Sequence, residues 1–250
     1  EKINSISFKN LNFKYSSIDS KNTLSNISFH LNAGQSLGII GKTGSGKSTI
    51  AQLISRLYDF NDGEILINNS SIKDLNLKDY RKKIGYIPQD VFLFSDTVIN
   101  NIAFGLQENE FSKEEIENVA KKSGIFKEIN KLPDKFETKI GERGVTLSGG
   151  QKQRVSIARA LIRKPELLIF DDCLSAVDSE TARKILKTIQ IKNNNQISIH
   201  ISHRVNAVIH CDHIIVLKNG EIIEQGNHNS LITKNGFYQR IFKKQQLEDN

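Results

Sequence analysis

Residues 36 to 58 constrain this chain more than any other stretch. Ser36-Leu37-Gly38-Ile39-Ile40 reads as a short apolar strand. It runs straight into Gly41-Lys42-Thr43-Gly44-Ser45-Gly46-Lys47-Ser48-Thr49, which fills every fixed position of the phosphate-binding loop pattern G-x-x-x-x-G-K-[ST]. From Lys47 to Tyr58 apolar residues then recur at helical spacing. Strand, glycine loop and helix in that order make the chain an α/β protein. Backbone N–H groups of such a loop wrap a β-phosphate, and the following helix adds its positive end. The pattern gives Lys47 reach to the β- and γ-phosphates and gives the Ser48 hydroxyl to Mg²⁺.

The remaining chain arranges itself around that unit. Residues 6–15 and 26–31 alternate apolar and polar side chains, predicting an antiparallel β region over 1–34. Asp62–Ile67 and Lys83–Ile87 read as further strands. Between about 95 and 162 the pattern turns helical, with a capping box at Ser112 and Glu115, a break at Pro133, and a helix from Gly149 to Ile162. Beyond it come a strand over 167–171, a helix over about 180–190, a strand over 196–201 and a hairpin turning at Asn219-Gly220. Asn193-Asn194-Asn195 reads as a solvated loop. The expected organisation is one domain over 1–250: a β subdomain over 1–34, a core over 35–94 and 163–250, and a helical lobe inserted over 95–162.

Composition narrows the class. At 250 residues, 28.2 kDa and 38% hydrophobic, the chain can bury a sizeable core. No apolar run approaches the roughly 18 residues that cross a bilayer, so the chain as given is expected to be soluble. It holds no Met and begins at Glu1, which suggests a piece of a longer polypeptide. Two cysteines are too few for a disulfide framework, and Cys173 and Cys211 are expected as free thiols. The net charge of +7 comes from Lys and Arg spread along the chain, with no basic run interleaved with aromatics, so nucleic acid is not the expected partner.

Two more segments carry chemistry. Leu167-Leu168-Ile169-Phe170-Asp171-Asp172 is an apolar strand ending in two acids, and Asp171 at its end can hold Mg²⁺ near the phosphates. In Leu147-Ser148-Gly149-Gly150-Gln151, the serine and glycines open a helix, so a hydroxyl and bare N–H groups form an anion site.

With these on hand, the whole chain resembles the nucleotide-binding domains of ATP-binding cassette (ABC) transporters, whose signature motif 147–151 matches. Tyr15 lies where that family stacks the adenine of ATP. Gln89, in Ile87-Pro88-Gln89-Asp90-Val91-Phe92-Leu93-Phe94, matches the loop that touches Mg²⁺ and the transmembrane partner. Gly141-Glu142-Arg143-Gly144 is similar to an exporter segment, Ser175-Ala176-Val177-Asp178 to the loop crossing the dimer interface, and His203 to the histidine that contacts the γ-phosphate. The resemblance implies a RecA-like P-loop ATPase core, using ATP and Mg²⁺, in the multidrug, lipid and peptide exporter branch. It implies a head-to-tail dimer in which residues 147–151 face ATP held by the opposing subunit. It also implies a transmembrane domain in the same polypeptide, with this domain on the cytoplasmic face of the cell membrane.

Asp172 departs from the family, which usually places its catalytic glutamate there. A side chain one methylene shorter stops about 1.5 Å short of the attacking water unless the backbone compensates, and a misplacement of about 1 Å can cost on the order of 100-fold in rate. A slow site of the kind found in one half of heterodimeric exporters is the leading expectation. A pocket shifted to suit aspartate in a homodimer stays open, as do a regulatory ATP clamp and a soluble ABC ATPase. His200, His203, His210, Cys211 and His213 cluster in sequence as metal ligands could. His200 and His203 straddle a strand end rather than sharing a helix face, so no metal is assigned to them, and His210 and His213 are expected at the surface or as caps.

Overall fold

The computed structural model describes residues 2–16, 21–60, 62–141, 144–190 and 195–248. Glu142 and Arg143 of the exporter-like segment, and Asn193-Asn194 of the asparagine run, lie outside the described residues. The chain divides into two compact units, one of Glu1–Ile84, Glu166–Asp172 and Asn195–Asn250, the other of Gly85–Pro165 and Cys173–Asn194.

In the first unit, strand Ser36–Gly41 is buried at every position, and so is strand Leu167–Asp171. Near-continuous apolar runs of this kind belong to parallel strands covered on both faces. Ser36–Gly41 pairs in parallel with Ile197–Ser202 on one side and with His213–Lys218 on the other. Leu167–Asp171 continues the parallel set beyond Ile197–Ser202, and Glu221–Gly226 closes the opposite side antiparallel to His213–Lys218. The last two strands are joined at Asn219 and Gly220, with φ of 52° and 81°. Two successive left-handed residues are what a tight hairpin matching the strand twist requires, and Asn-Gly is the sequence that adopts it at least cost.

The antiparallel sheet is larger than the sequence pattern over 1–34 implies. Ser5–Phe13 pairs with Leu24–Asn32 on one edge and with Asp62–Ile67 on the other, and Ser70–Ser71 extends the sheet further. An open edge on Ser5–Phe13 would expose a row of unpaired backbone groups, and the later strand covers it. Ile6, Phe8, Leu11 and Phe13 turn inward along the first strand, with Phe8 stacked on Phe29 at 4.4 Å.

The second unit is helical, with helices Val98–Ile102, Lys113–Lys122, Phe126–Ile129 and Gly149–Ile162 around a core that includes Ile102, Ile116, Val119, Val155 and Ile162. The expected lobe over 95–162 is too narrow. Helix Ser179–Gln190 packs on Lys113–Lys122 and buries Ile185, Leu186 and Ile189, so it belongs to this unit. The capping box foreseen at Ser112 and Glu115 is present, each side chain closing on the other's backbone N–H at 3.2 and 3.0 Å. Among the described residues no helix is long and apolar enough to cross a membrane.

A polar knot inside the second unit went unnoticed in the sequence. Asn101 is fully buried; its Oδ1 accepts from Phe94 N at 2.9 Å and from Arg159 at 3.0 Å, and its amide donates to the Phe94 and Thr97 carbonyls at 3.0 Å each. The Arg159 guanidinium also donates to the Asn101 and Phe92 carbonyls and stands over the Phe94 and Phe104 rings. Asn101→Leu is close in volume but removes these four hydrogen bonds, each worth about 0.5–1.5 kcal/mol. It should lower the free energy of unfolding by about 2–6 kcal/mol in urea titrations.

Candidate functional site

The glycine loop closes around its own lysine. Gly46 caps the start of helix Lys47–Ile54 with φ of 99°, and a Cβ there would fall 2.7 Å from Leu24 Cδ2, so both backbone and space demand glycine. The Lys47 ammonium turns back under the loop and donates to the Gly41 and Lys42 carbonyls at 2.9 and 3.0 Å. Burial lowers its pKa, while the Asp172 and Asp171 carboxylates pull in the opposite direction. A buried cation held by two neutral carbonyls is a strong draw for an anion entering the loop. The Ser45 hydroxyl is buried in the same loop without a hydrogen-bond partner among the described residues, a further donor for that anion.

Parallel pairing brings the acidic strand end to the loop. Ile201 is in register with both Ile39 and Asp171, which sets three strand ends side by side. The Ser48 hydroxyl donates to Asp171 Oδ1 at 2.8 Å. Asp172 then leaves the strand with φ of 47°, its N–H on the Ile201 carbonyl at 2.9 Å. Aspartate tolerates this left-handed region better than most residues. The turn aims its carboxylate at the neighbouring strand end, where Oδ1 accepts from the Ser202 hydroxyl at 3.2 Å and Oδ2 lies 2.7 Å from His203 Nδ1. Asp172 is 14% exposed and His203 45% exposed in the side chain, so the imidazole is the more accessible member of the pair.

A residue that the sequence reading missed holds the histidine loop. Gln245, on helix Phe237–Glu248, donates its amide to the His203 carbonyl at 2.8 Å and accepts from Val205 N at 2.8 Å. One side chain thus spans both sides of Arg204. A glutamine on an amphipathic terminal helix carries no motif, so no local pattern could have singled it out.

Tyr15 is tied to the loop helix by its hydroxyl, which bonds Thr49 Oγ1 at 2.9 Å and Gln52 Oε1 at 2.7 Å. Its ring stands edge-on to Tyr58 at 4.9 Å and is half exposed, leaving an aromatic surface beside the loop.

The other candidates lie in the second unit. Ser148 caps helix Gly149–Ile162 by accepting from Gln151 N at 3.3 Å, while Gln151 Oε1 accepts from Ser148 N at 2.8 Å. The last residue of the Leu147–Gln151 motif is therefore half of a capping box, and Leu147 is buried as its anchor. Ser148 and Gly149 are exposed, and a Cβ on Gly149 would meet nothing within 4 Å, so the helix start is open to approach. Gly150 is closed in: a Cβ there would lie 2.9 Å from the Ala176 carbonyl, which sets the segment 175–178 against the motif. Val177 is buried, and Asp178 caps the next helix by accepting from Thr181 N at 2.9 Å, a bond that lowers its pKa. Gln89 is exposed, and its carbonyl accepts from Gln153 at 3.1 Å.

Loop, acidic strand end and histidine turn together define a P-loop ATPase, and the comparisons place it. The ABC transporter family profile matches residues 24–175. The chain is 44% identical, over 97% of its length, to ABC transporter B family member 6 of Dictyostelium discoideum, and 47% identical, over 91% of its length, to the multidrug resistance-like ATP-binding protein MdlA of Buchnera aphidicola. It superimposes with a TM-score of 0.91 and 39% identity on a bacterial Atm1-family ABC exporter solved with ATP bound, covering 97% of this chain and 42% of that one. The chain belongs to the ABC transporter family and is its ATP-binding ATPase domain, of exporter type. It spans 36% and 39% of the two curated relatives.

Replacing the buried ammonium tests the loop. Lys47→Met should weaken ATP binding on the order of 10- to 100-fold, the worth of a charge-assisted hydrogen bond to phosphate, as read by equilibrium binding of a fluorescent ATP analogue. Gln245→Leu should leave ATP affinity unchanged and lower kcat about tenfold, since its effect is on the placement of His203. Steady-state kinetics that moved KM instead would place the role of Gln245 elsewhere.

Proposed function

We propose that this domain powers export through a transmembrane domain of the same polypeptide. It works on the cytoplasmic face of the membrane by closing head-to-tail on a second nucleotide-binding domain. The names of the relatives support the transport reading, and the exposed helix start at Ser148 and Gly149 supports a phosphate-bearing partner surface. In that assembly Leu147–Gln151 meets the ATP of the opposing subunit, and 175–178 lines the interface beside it. Phe92, 69% exposed in an edge-to-face pair with Phe94, offers the apolar seat for the transmembrane partner, with Phe94 stacked on Phe104 and Arg159 beneath.

Within the subunit, the glycine loop and Lys47 hold the phosphates of ATP, and the exposed ring of Tyr15 takes the adenine. Ser48 Oγ and Asp171 Oδ1, 2.8 Å apart, form a hard oxygen pair that suits Mg²⁺; Gln89 is the further ligand that the family resemblance implies. Mg²⁺, when bound there, neutralises phosphate charge. Asp172 and His203 are the groups placed to handle the attacking water and the γ-phosphate.

The observation that carries the finer reading is the engagement of Asp172. Its short carboxylate is drawn to Ser202 and His203, so both oxygens already have partners on the neighbouring strand end. We infer that this subunit binds ATP well and turns it over slowly, and that its intact Leu147–Gln151 motif completes a faster site for a glutamate-bearing partner. The left-handed backbone at Asp172 and the retained His203 pair favour a second reading, a homodimer whose site is shaped for aspartate. ATP turnover of wild type and Asp172→Glu, with binding measured separately, decides between them. A gain of at least about tenfold on adding the methylene supports the slow site. Brisk wild-type turnover with no gain supports the homodimer.

A further inference from the structure

Three side chains away from the loop converge in a way the sequence reading set aside. His200, on strand Ile197–Ser202, is 3% exposed. His210 and Cys211 lie on the turn that leads into strand His213–Lys218. One nitrogen of each histidine and the Cys211 sulfur all lie within 4.8 Å of one another. His213, by contrast, is exposed, and His203 is committed to Asp172.

What makes the cluster unusual is what it lacks. His200 Nδ1 and His210 Nε2 are both buried, and neither has a hydrogen-bond partner among the described residues. Two orphaned imidazole nitrogens are a cost that a fold does not normally carry twice in one place. We propose that His200, His210 and Cys211 bind one zinc-class divalent ion that braces strand Ile197–Ser202, which leads into the His203 turn, against the 208–212 turn.

The donor chemistry fits. Two imidazoles and a thiolate are borderline-soft ligands, suited to zinc and unsuited to Mg²⁺ or Ca²⁺. The surroundings prepare them. His200 Nε2 bonds Ser198 Oγ at 3.1 Å; with the proton on Nε2, the partnerless Nδ1 carries the lone pair free to ligate. Phe170 stacks on the His200 ring at 4.7 Å and fixes its plane. Burial lowers the pKa of both histidines, His200 far more, so they are neutral and ready to ligate. Ligands at zinc bonding distances stand about 3.3–3.7 Å apart. The widest pair here would close by at most about 1.5 Å, which the half-buried His210 on its turn can supply.

Charge also balances. Burial holds Cys211 as the thiol, its pKa pushed far above the ordinary cysteine range. Binding therefore breaks the S–H bond and forms a metal–sulfur bond, with the proton released to solvent. The titratable groups acting on the trio from outside are Asp212, beside His210 and Cys211, and Tyr238, beside Cys211. With neutral histidines and one thiolate the ion keeps a net positive charge, which the Asp212 carboxylate, held by Ser36 N and Oγ, offsets through space. Three protein ligands leave a fourth position for water.

The test is titration of the tagless, nucleotide-free 250-residue chain with Co²⁺, alongside His200→Val and Cys211→Ala. One equivalent should produce a thiolate-to-cobalt charge-transfer band and the intense visible bands of low coordination, with one proton released. Both features should vanish in either variant, while ATP binding in each confirms the fold. Zn²⁺ should raise the melting temperature of wild type by several degrees and leave both variants unmoved. The proposal is overturned if no charge-transfer band forms, if the band survives in His200→Val, or if Zn²⁺ shifts wild type and variants alike.

Discussion

The register of three parallel strands is the constraint on which the rest of the site depends. Ile39, Ile201 and Asp171 lie level across Ser36–Gly41, Ile197–Ser202 and Leu167–Asp171, so the glycine loop, the acid pair and the histidine turn leave the sheet at one height. Parallel sheets bind ligands outside the carboxyl ends of their strands for this reason. A slip of one residue would send every side chain of a strand to the opposite face. Burial of these strands on both sides makes such a slip prohibitive, and the chemistry inherits the precision of the core.

Much of this was legible because the decisive signals are local. A loop that must coordinate phosphate with its own backbone needs glycines at fixed spacing, and a helix that must satisfy its first N–H groups needs a capping residue. Residues 41–49, Ser112 with Glu115, and Asn219-Gly220 each carry such a signature within a few positions. The Leu147–Gln151 motif was legible as a helix start; that Gln151 serves as the cap's second half became apparent from its hydrogen bond.

What escaped the sequence depends on partners far apart in the chain. Gln245 meets His203 across 42 residues, and Arg159 meets Asn101 across 58. Neither pair has a spacing rule. The unit boundaries shifted because Ser179–Gln190 chooses its neighbour by the apolar face it presents, not by its place in the sequence. His200 and His210 come within reach of each other for a related reason: a strand and a later turn bring them together, and helix-face spacing does not describe such a pair.

The contact between Gln245 and the histidine loop has a bearing on how the domain is made. Synthesis runs from the amino end, so the glycine loop, the acid pair and His203 are all made before the helix that holds the His203 carbonyl. The histidine turn can take its final hydrogen bonds only once helix Phe237–Glu248 has been made and has packed. The placement of that turn thus reports on completion of the domain, whereas the glycine loop is built from contacts close in sequence.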